Sequence, residues 1–363
     1  MSRYSHACFA LLFPLVFTSA PAGAAQPAQA GVAVRLEALR PSVGRGDDVP
    51  VRVTLTNTSG EAQHVLRWRT PLEGVQSSLF EVRRDGQPVR YLGVEIKRPA
   101  PEAADFVLIE PGASVTQTVE LSALYEMHIT GAYTVRYNSP AAPLPGLGAG
   151  AALHAVTGEL ASSPVSIWIE GRLPRGAKSS PVPAPAQEAA GGSLAFSQCS
   201  NAQQEQLAAA VDAGRAMAVD SHVYLTSGQA YGPRYTTWFG VPDAQRGARA
   251  IAHFAAIRDA FENKPLALDC GCDEAYFAYV YPAQPYKIYV CKAFWSAANT
   301  GTDSRGGTLV HEMSHFDAVA GTDDHVYGQA GAMELARSAP ERALNNADSH
   351  EYFGENTPAQ QKR

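Results

Sequence analysis

The sequence predicts a multidomain protein: an N-terminal antiparallel β-sandwich followed by a C-terminal α+β domain. Three observations predict it. First, "VAVRLEAL", "VPVRVTLTN", "HVLRWRT", "SSLFEVRRDGQPVRYLGVEI", "SVTQTVEL", "AYTVRYN" and "VSIWIE" alternate apolar and polar residues. Gly, Pro, Asn and Asp punctuate them, and Asp85-Gly86 is a hairpin signal. Short strands at such near-regular spacing suggest a sandwich. Second, "LPRGAKSSPVPAPAQEAAGGS" is rich in Pro, Ala, Ser and Gly without apolar periodicity, and reads as an exposed, protease-sensitive linker. Third, helical spacing appears after Leu194. Asn201 can cap a helix with Leu207, Val211, Gly214 and Ala218 on one face, and a second helix starts near Pro242-Asp243. Two strand-like runs, "AYFAYVY" and "KIYVCKAF", follow, and a last helical region is expected from about Gly331 to Arg342.

A chain of 363 residues accommodates two domains of ordinary size. Its net charge of −6 and lack of a basic block leave no electrostatic footprint for nucleic acid. At the start, Arg3 supplies a positive n-region, Ala7 to Phe17 an apolar run, and Ala22-Gly23-Ala24 a small-residue cleavage site. These predict a signal peptide and secretion to the extracellular space. No stretch is long enough to span a bilayer, so no membrane association is expected after signal removal. The expected boundaries are 1–24 for the signal peptide, 25–171 for the sandwich, 172–193 for the linker and 194–363 for the second domain.

Cys8 leaves with the signal, and Cys199, Cys270, Cys272 and Cys291 remain. An even number in an oxidising compartment argues for two disulfides. A bridge between Cys270 and Cys272 would close a strained, tiny ring. Each therefore reaches outward, to Cys199 and Cys291 in one order or the other. A four-cysteine zinc site is disfavoured because C-x-C lacks the usual two-residue spacer.

The chemistry concentrates in "GTLVHEMSHFDAVAGTDDHVYG", Gly307 to Gly328. His311 and His315 are four apart, so on a helix they lie one above the other and can share a zinc ion. Glu312 is rotated by about 100°, beside such a metal rather than on it, where it can act as general base. H-E-x-x-H on a helix therefore proposes a metallopeptidase. A third histidine in the pattern H-E-x-x-H-x-x-G-x-x-H is excluded by Ala318 and Gly321. Glu334 is a candidate third ligand on a following helix. Gly321 can turn the chain back and bring Asp323, Asp324 or His325 to the metal instead. Asp317, two residues past His315, is expected to point away as a solvated charge.

"HEMSHF" followed by "GTDDHVYG" resembles the aspzincin signature, H-E-x-x-H with a downstream G-T-x-D-x-x-Y-G. "RYTTWFG", "CGC", "FAYVYP", "YVCKAFW", "TGTDSRGGTLVHE" and "NNADSHEYFGENTP" extend the resemblance, in order, to the peptidyl-Lys metalloendopeptidases of that family. The resemblance covers most of the C-terminal half and implies a zincin-like catalytic domain holding one zinc ion. By it, His311, His315 and Asp324 are the zinc ligands, Glu312 is the base, and the Tyr327 hydroxyl lies near the substrate carbonyl. It favours the pairs Cys199–Cys270 and Cys272–Cys291. It also places Asp348 and Glu351, three apart in "NNADSHEYF", in an S1′ pocket, implying cleavage of protein or peptide substrates on the amino side of lysine.

The sandwich stands between signal and catalytic domain, the order of a zymogen, and is read as a propeptide that inhibits its own enzyme; the protein is expected to be a monomer. Lys97 is the only lysine between signal and linker. It is the inhibitory candidate, entering the S1′ pocket as a substrate mimic, with Lys178 in the linker as a self-cleavage point. Two rival readings are a gluzincin-like zinc peptidase using Glu334 with hydrophobic specificity, and a surface-binding β-sandwich fused to a protease.

Overall fold

Alternation of apolar and polar residues becomes strand after strand in the N-terminal half of the computed structural model. It describes residues 31–44, 47–99, 101–139, 159–170, 192–227, 231–357 and 359–360. The signal peptide, Lys178 and all but the end of the linker lie outside the described residues.

The strands are β1 (Val32–Ala38), β2 (Ser42–Val43), β3 (Pro50–Asn57), β4 (Gln63–Leu66), β5 (Phe80–Arg84), β6 (Gln87–Pro88), β7 (Glu95–Lys97), β8 (Phe106–Ile109), β9 (Ser114–Glu120), β10 (Gly131–Ser139), β11 (Leu160–Ala161) and β12 (Val165–Ile169). β1-β3-β9 form one sheet, β2-β12-β10-β5-β6 with β11 another, and β4-β8 a two-stranded pair. Val51, Val53 and Leu55 of β3 share a buried cluster with Val82 of β5, Tyr133 and Val135 of β10 and Ile167 of β12. One face of each of the two larger sheets therefore supplies this core. Asp85 and Gly86 both take positive φ, 49° and 82°, the geometry of a tight hairpin turn between β5 and β6.

β7 belongs to none of these sheets. It adds instead to the sheet of the C-terminal half, antiparallel to a strand about 180 residues later in the chain, with Lys97 opposite Ala278 and Glu95 opposite Val280.

The C-terminal half comprises β13 (Leu194–Ser197), α1 (Asn201–Thr226), α2 (Pro233–Phe239), α3 (Ala244–Asn263), β14 (Leu266–Asp269), β15 (Ala278–Val280), β16 (Lys287–Val290), α4 (Lys292–Ser296), α5 (Arg305–His315), α6 (Gly328–Ser338), α7 (Pro340–Leu344) and α8 (Ala347–Glu355). Its sheet runs β13-β14-β16-β15-β7, the first three parallel and the last two antiparallel to their neighbours. The cap of α1 is Ser200 rather than Asn201: its hydroxyl accepts from Gln203 N while Gln203 bonds back to Ser200 N, a capping box. α1 packs on α3 and α5 through Gly214, where a Cβ would stand 2.9 Å from the Phe261 ring and 3.1 Å from Gly306 O.

The helical region expected from about Gly331 to Arg342 is two helices, α6 and α7, and α8 follows beyond it. Pro340 supplies the first residue of α7 and breaks the run, because it offers no N–H to continue α6. Disulfides Cys199–Cys270 and Cys272–Cys291 tie the entry to α1 to the end of β14, and the following loop to the residue that begins α4. No helix among the described residues is long and apolar enough to cross a membrane.

Candidate active site

α5 carries the H-E-x-x-H residues, and its N-terminus is held from two sides. Ser304 Oγ accepts from Gly307 N, and the Glu355 carboxylate accepts from Ser304 N at 2.8 Å and Asp303 N at 3.2 Å. At Gly307 a Cβ would fall 2.1 Å from Glu355 Oε1, so any side chain there would displace this carboxylate from the helix N-terminus. Apolar Leu309, Val310 and Met313 bury the helix, so His311, Glu312 and His315 are fully buried with it.

The helix stops at His315, earlier than its apolar spacing suggests, and Asp317 lies beyond it, exposed and 3.5 Å from Arg90 of the N-terminal half. Gly321 takes φ 58° and the chain returns. Thr322 O then accepts from His315 Nδ1 at 2.7 Å, which fixes the proton on Nδ1 and leaves Nε2 as a lone pair. Asn346 Oδ1 accepts from His325 N and Val326 N, pinning the returning loop to the start of α8.

This loop brings Asp324 to the two imidazoles. His311 Nε2 and His315 Nε2 lie 3.2 Å and 3.5 Å from Asp324 Oδ1, and one donor atom from each of the three residues lies within 4.8 Å of the others. Despite these distances, all three atoms lack a hydrogen-bond partner among the described residues, as do both Glu312 oxygens. Buried polar atoms are rarely left so, and a converging nitrogen, nitrogen and carboxylate oxygen is a donor set that zinc accepts. The residues fit the metal.

Burial lowers the His315 pKa to about 4, keeping that ring neutral. Burial works against the Asp324 carboxylate, but His311 and His315 outweigh it and hold its pKa below the usual range. Burial also pushes Glu312 up to about 8, the range of a group that exchanges protons near neutrality.

Asp323 turns aside, with Oδ2 accepting from the Asn345 amide at 2.8 Å. Glu334 faces solvent on α6, its side chain 49% exposed and paired with Arg337 at 2.5 Å. It cannot reach the histidines, so the rival ligand set built on it is removed.

Asp348 and Glu351 sit on α8, but not on a wet face: their side chains are 1% and 0% exposed. Asp348 Oδ1 lies 2.9 Å and Glu351 Oε2 3.3 Å from His311 Nδ1. Between them stands the Lys97 ammonium, 2.5 Å from Glu351 Oε2 and 3.5 Å from Asp348 Oδ1. Burial alone would lower the Lys97 pKa, yet Asp348, Glu351 and Asp303 raise it well above the ordinary lysine range. Phe277 and Tyr352 present ring faces to the same ammonium at 5.3 Å and 5.8 Å. The Tyr327 hydroxyl contacts both Asp324 Oδ2 (2.9 Å) and the Ile96 carbonyl (2.8 Å).

Three residues here escaped the sequence reading. Asp303 lies 3.6 Å from Lys97 Nζ and takes a hydrogen bond from the Tyr352 hydroxyl. It stands beside a helix cap, and no spacing links it to Asp348. Ile96 and Glu355 lie in runs quoted above, but nothing in their spacing assigned either of them a role.

A buried H-E-x-x-H helix with a carboxylate returned to it by the following loop defines a zinc metalloendopeptidase. The lysine-specific metallo-endopeptidase (aspzincin) family model matches residues 224–355. An extracellular protease of Aeromonas hydrophila is 47% identical over 323 residues, 87% of this chain and 90% of the relative. A peptidyl-Lys metalloendopeptidase of Grifola frondosa is 36% identical over 324 residues, 86% of this chain and 90% of the relative. A solved zinc peptidase from Grifola frondosa is 46% identical, the match covering 45% of this chain and 100% of that one at a TM-score of 0.43. The chain belongs to the aspzincin family.

Proposed function

We propose that this zinc metalloendopeptidase is secreted as an inactive precursor and cuts peptide bonds on the amino side of lysine. The observation that carries the reading is a lysine already in the pocket: Lys97, 1% exposed, set between Asp348 and Glu351. Two buried carboxylates suit a compact ammonium on a long stem, and the aromatic walls exclude water from its methylenes. The names of the relatives, an extracellular protease and a peptidyl-Lys metalloendopeptidase, support secretion and specificity.

In this reading His311, His315 and Asp324 would hold one zinc ion, which would supply Lewis-acid polarisation of a water and of the scissile carbonyl. Glu312 takes the water's proton and returns it to the departing amine. Tyr327 donates to the carbonyl oxygen as it gains negative charge. Asp348 and Glu351 hold the lysine and orient the bond before it. Residues 25–171 are assigned as the propeptide, Lys178 in the stretch 172–193 as a processing point, and Lys97 plugs S1′. The protein acts as a monomer in which the propeptide is its own inhibitor.

Digestion of a mixed peptide library by the mature enzyme, with and without a chelator, tests this. Products should begin with lysine and vanish with the metal. Cleavage after hydrophobic residues, or chelator-resistant cleavage, would sink the reading.

A further inference from the structure

The strand that fills the cleft does more than carry a lysine. β7 lies along edge strand β15 with Glu95, Ile96 and Lys97 opposite Val280, Tyr279 and Ala278, and Lys97 O accepts from Phe277 N at 3.1 Å. An extended chain on a sheet edge is how a peptide is presented in register. With Lys97 in the acidic pocket, the bond on its amino side is Ile96–Lys97. The carbonyl of that bond is the one that receives the Tyr327 hydroxyl at 2.8 Å. The Tyr327 oxygen is also 2.9 Å from Asp324 Oδ2, so the bond lies beside the three converging donor atoms. A plug acting through its side chain alone would not need the preceding carbonyl on that donor. Three independent contacts bracket this single bond: strand pairing, lysine pocket and hydroxyl donor.

We infer that Ile96–Lys97 is a self-cleavage site, cut in cis by the same chain. The inference rests on the reading that the enzyme cuts before lysine. Water adds its oxygen to the Ile96 carbonyl carbon and the bond to the Lys97 nitrogen breaks. Both water protons end on that nitrogen, carried by Glu312, leaving an Ile96 carboxylate and a Lys97 ammonium; nothing is oxidised or reduced. The cut falls within the strand-rich half, far from the linker, and opens the loop that occupies the cleft.

The full chain, purified in chelator, is followed by intact-mass spectrometry under denaturing conditions after zinc is added. A fragment beginning at Lys97 is expected, with a first-order rate unchanged over a hundred-fold dilution, and with no such fragment from Glu312→Gln. Lys97→Arg should slow the cut at least ten-fold; if that variant does not fold, the time course and dilution series on the unmodified chain decide alone. An Ile96–Lys97 bond that stays whole overturns the inference, as does a rate that rises with protein concentration. In parallel, a lysine-containing peptide is supplied in sub-denaturing urea that loosens the N-terminal half. Cleavage of this peptide before lysine beside an intact Ile96–Lys97 bond means that the inference alone has failed. No cleavage before lysine means that the parent reading has failed with it.

Discussion

A lysine ammonium is costly to bury alone, and at Lys97 the cost is offset by three carboxylates, Asp348, Glu351 and Asp303, and two aromatic faces. Removing one carboxylate should therefore show in two assays. Asp348→Asn and Glu351→Gln should each lower kcat/KM before lysine by ten-fold or more, far more than they weaken zinc binding through His311 Nδ1, and each should loosen the docked precursor. Unchanged lysine preference in the double variant would return both residues to a structural role. Glu312→Gln removes the proton carrier and spares the ligands, so activity should fall by about 10²–10⁴-fold with zinc retained; metal analysis showing equal loss of zinc would make Glu312 a ligand. Glu355 offers a pH test. Burial and then the nearby Glu351 raise its pKa from 4.5 to about 8. A carboxyl raised on folding contributes stability that is fully present below about 4.5 and is lost as pH rises through about 8. Thermal unfolding between pH 5 and 9 should show a smaller fall in Tm for Glu355→Gln than for the parent, and parallel curves would refute the assignment.

At the scale of elements, α8 organises the site, since it carries both pocket carboxylates and its first residues pin the Asp324 loop. Its C-terminal end is held by Arg234, which donates to Phe353 O at 2.7 Å and Gly354 O at 3.3 Å and reaches Asp220 at 2.6 Å. A cation there also opposes the negative end of the helix dipole. Arg234→Leu should destabilise by about 3 kcal/mol, because charged hydrogen bonds are lost and buried carbonyls are orphaned. Chemical denaturation measures it, and a loss below 1 kcal/mol would demote the clamp. α5 was legible because its chemistry and its helical period coincide in one short run. The Asp348–Glu351 spacing was visible too, but whether that face was wet or buried depended on a strand elsewhere in the chain. β7 was not legible. "EIK" fits any sheet edge, and a period of two carries no information about which sheet accepts it. α2, α7 and α8 were merged or missed because they are short, and Pro340, which ends the run after α6, was not weighed at all.

Across the whole molecule, both disulfides lie in the C-terminal half, with sequence separations of 71 and 19 residues. On loop-closure entropy, replacing Cys199 and Cys270 by Ser should cost about 4 kcal/mol, and replacing Cys272 and Cys291 about 3 kcal/mol. Equal losses in urea titrations would point to native-state contacts rather than chain entropy. The N-terminal half, by contrast, has no cysteine among its described residues and rests on apolar burial between its sheets. The two halves should respond differently to reductant: catalytic-domain melting shifts, while the strand-rich half melts unchanged.

β7 sits between β6 and β8, and both neighbours pair within the N-terminal half. The segment in the cleft is thus a closed loop with no free end. It cannot peel away as a tail does, residue by residue. The cleft opens when the half that anchors the loop tips or melts, or when the loop is severed. Uncovering in an uncut precursor therefore inherits the activation enthalpy of a cooperative unfolding event. For Glu312→Gln precursor, labelled peptide should gain access to the cleft at a rate rising about three- to six-fold per 10 °C. On the proposed precursor reading, latency becomes a matter of time and temperature, with the strand-rich half as the clock.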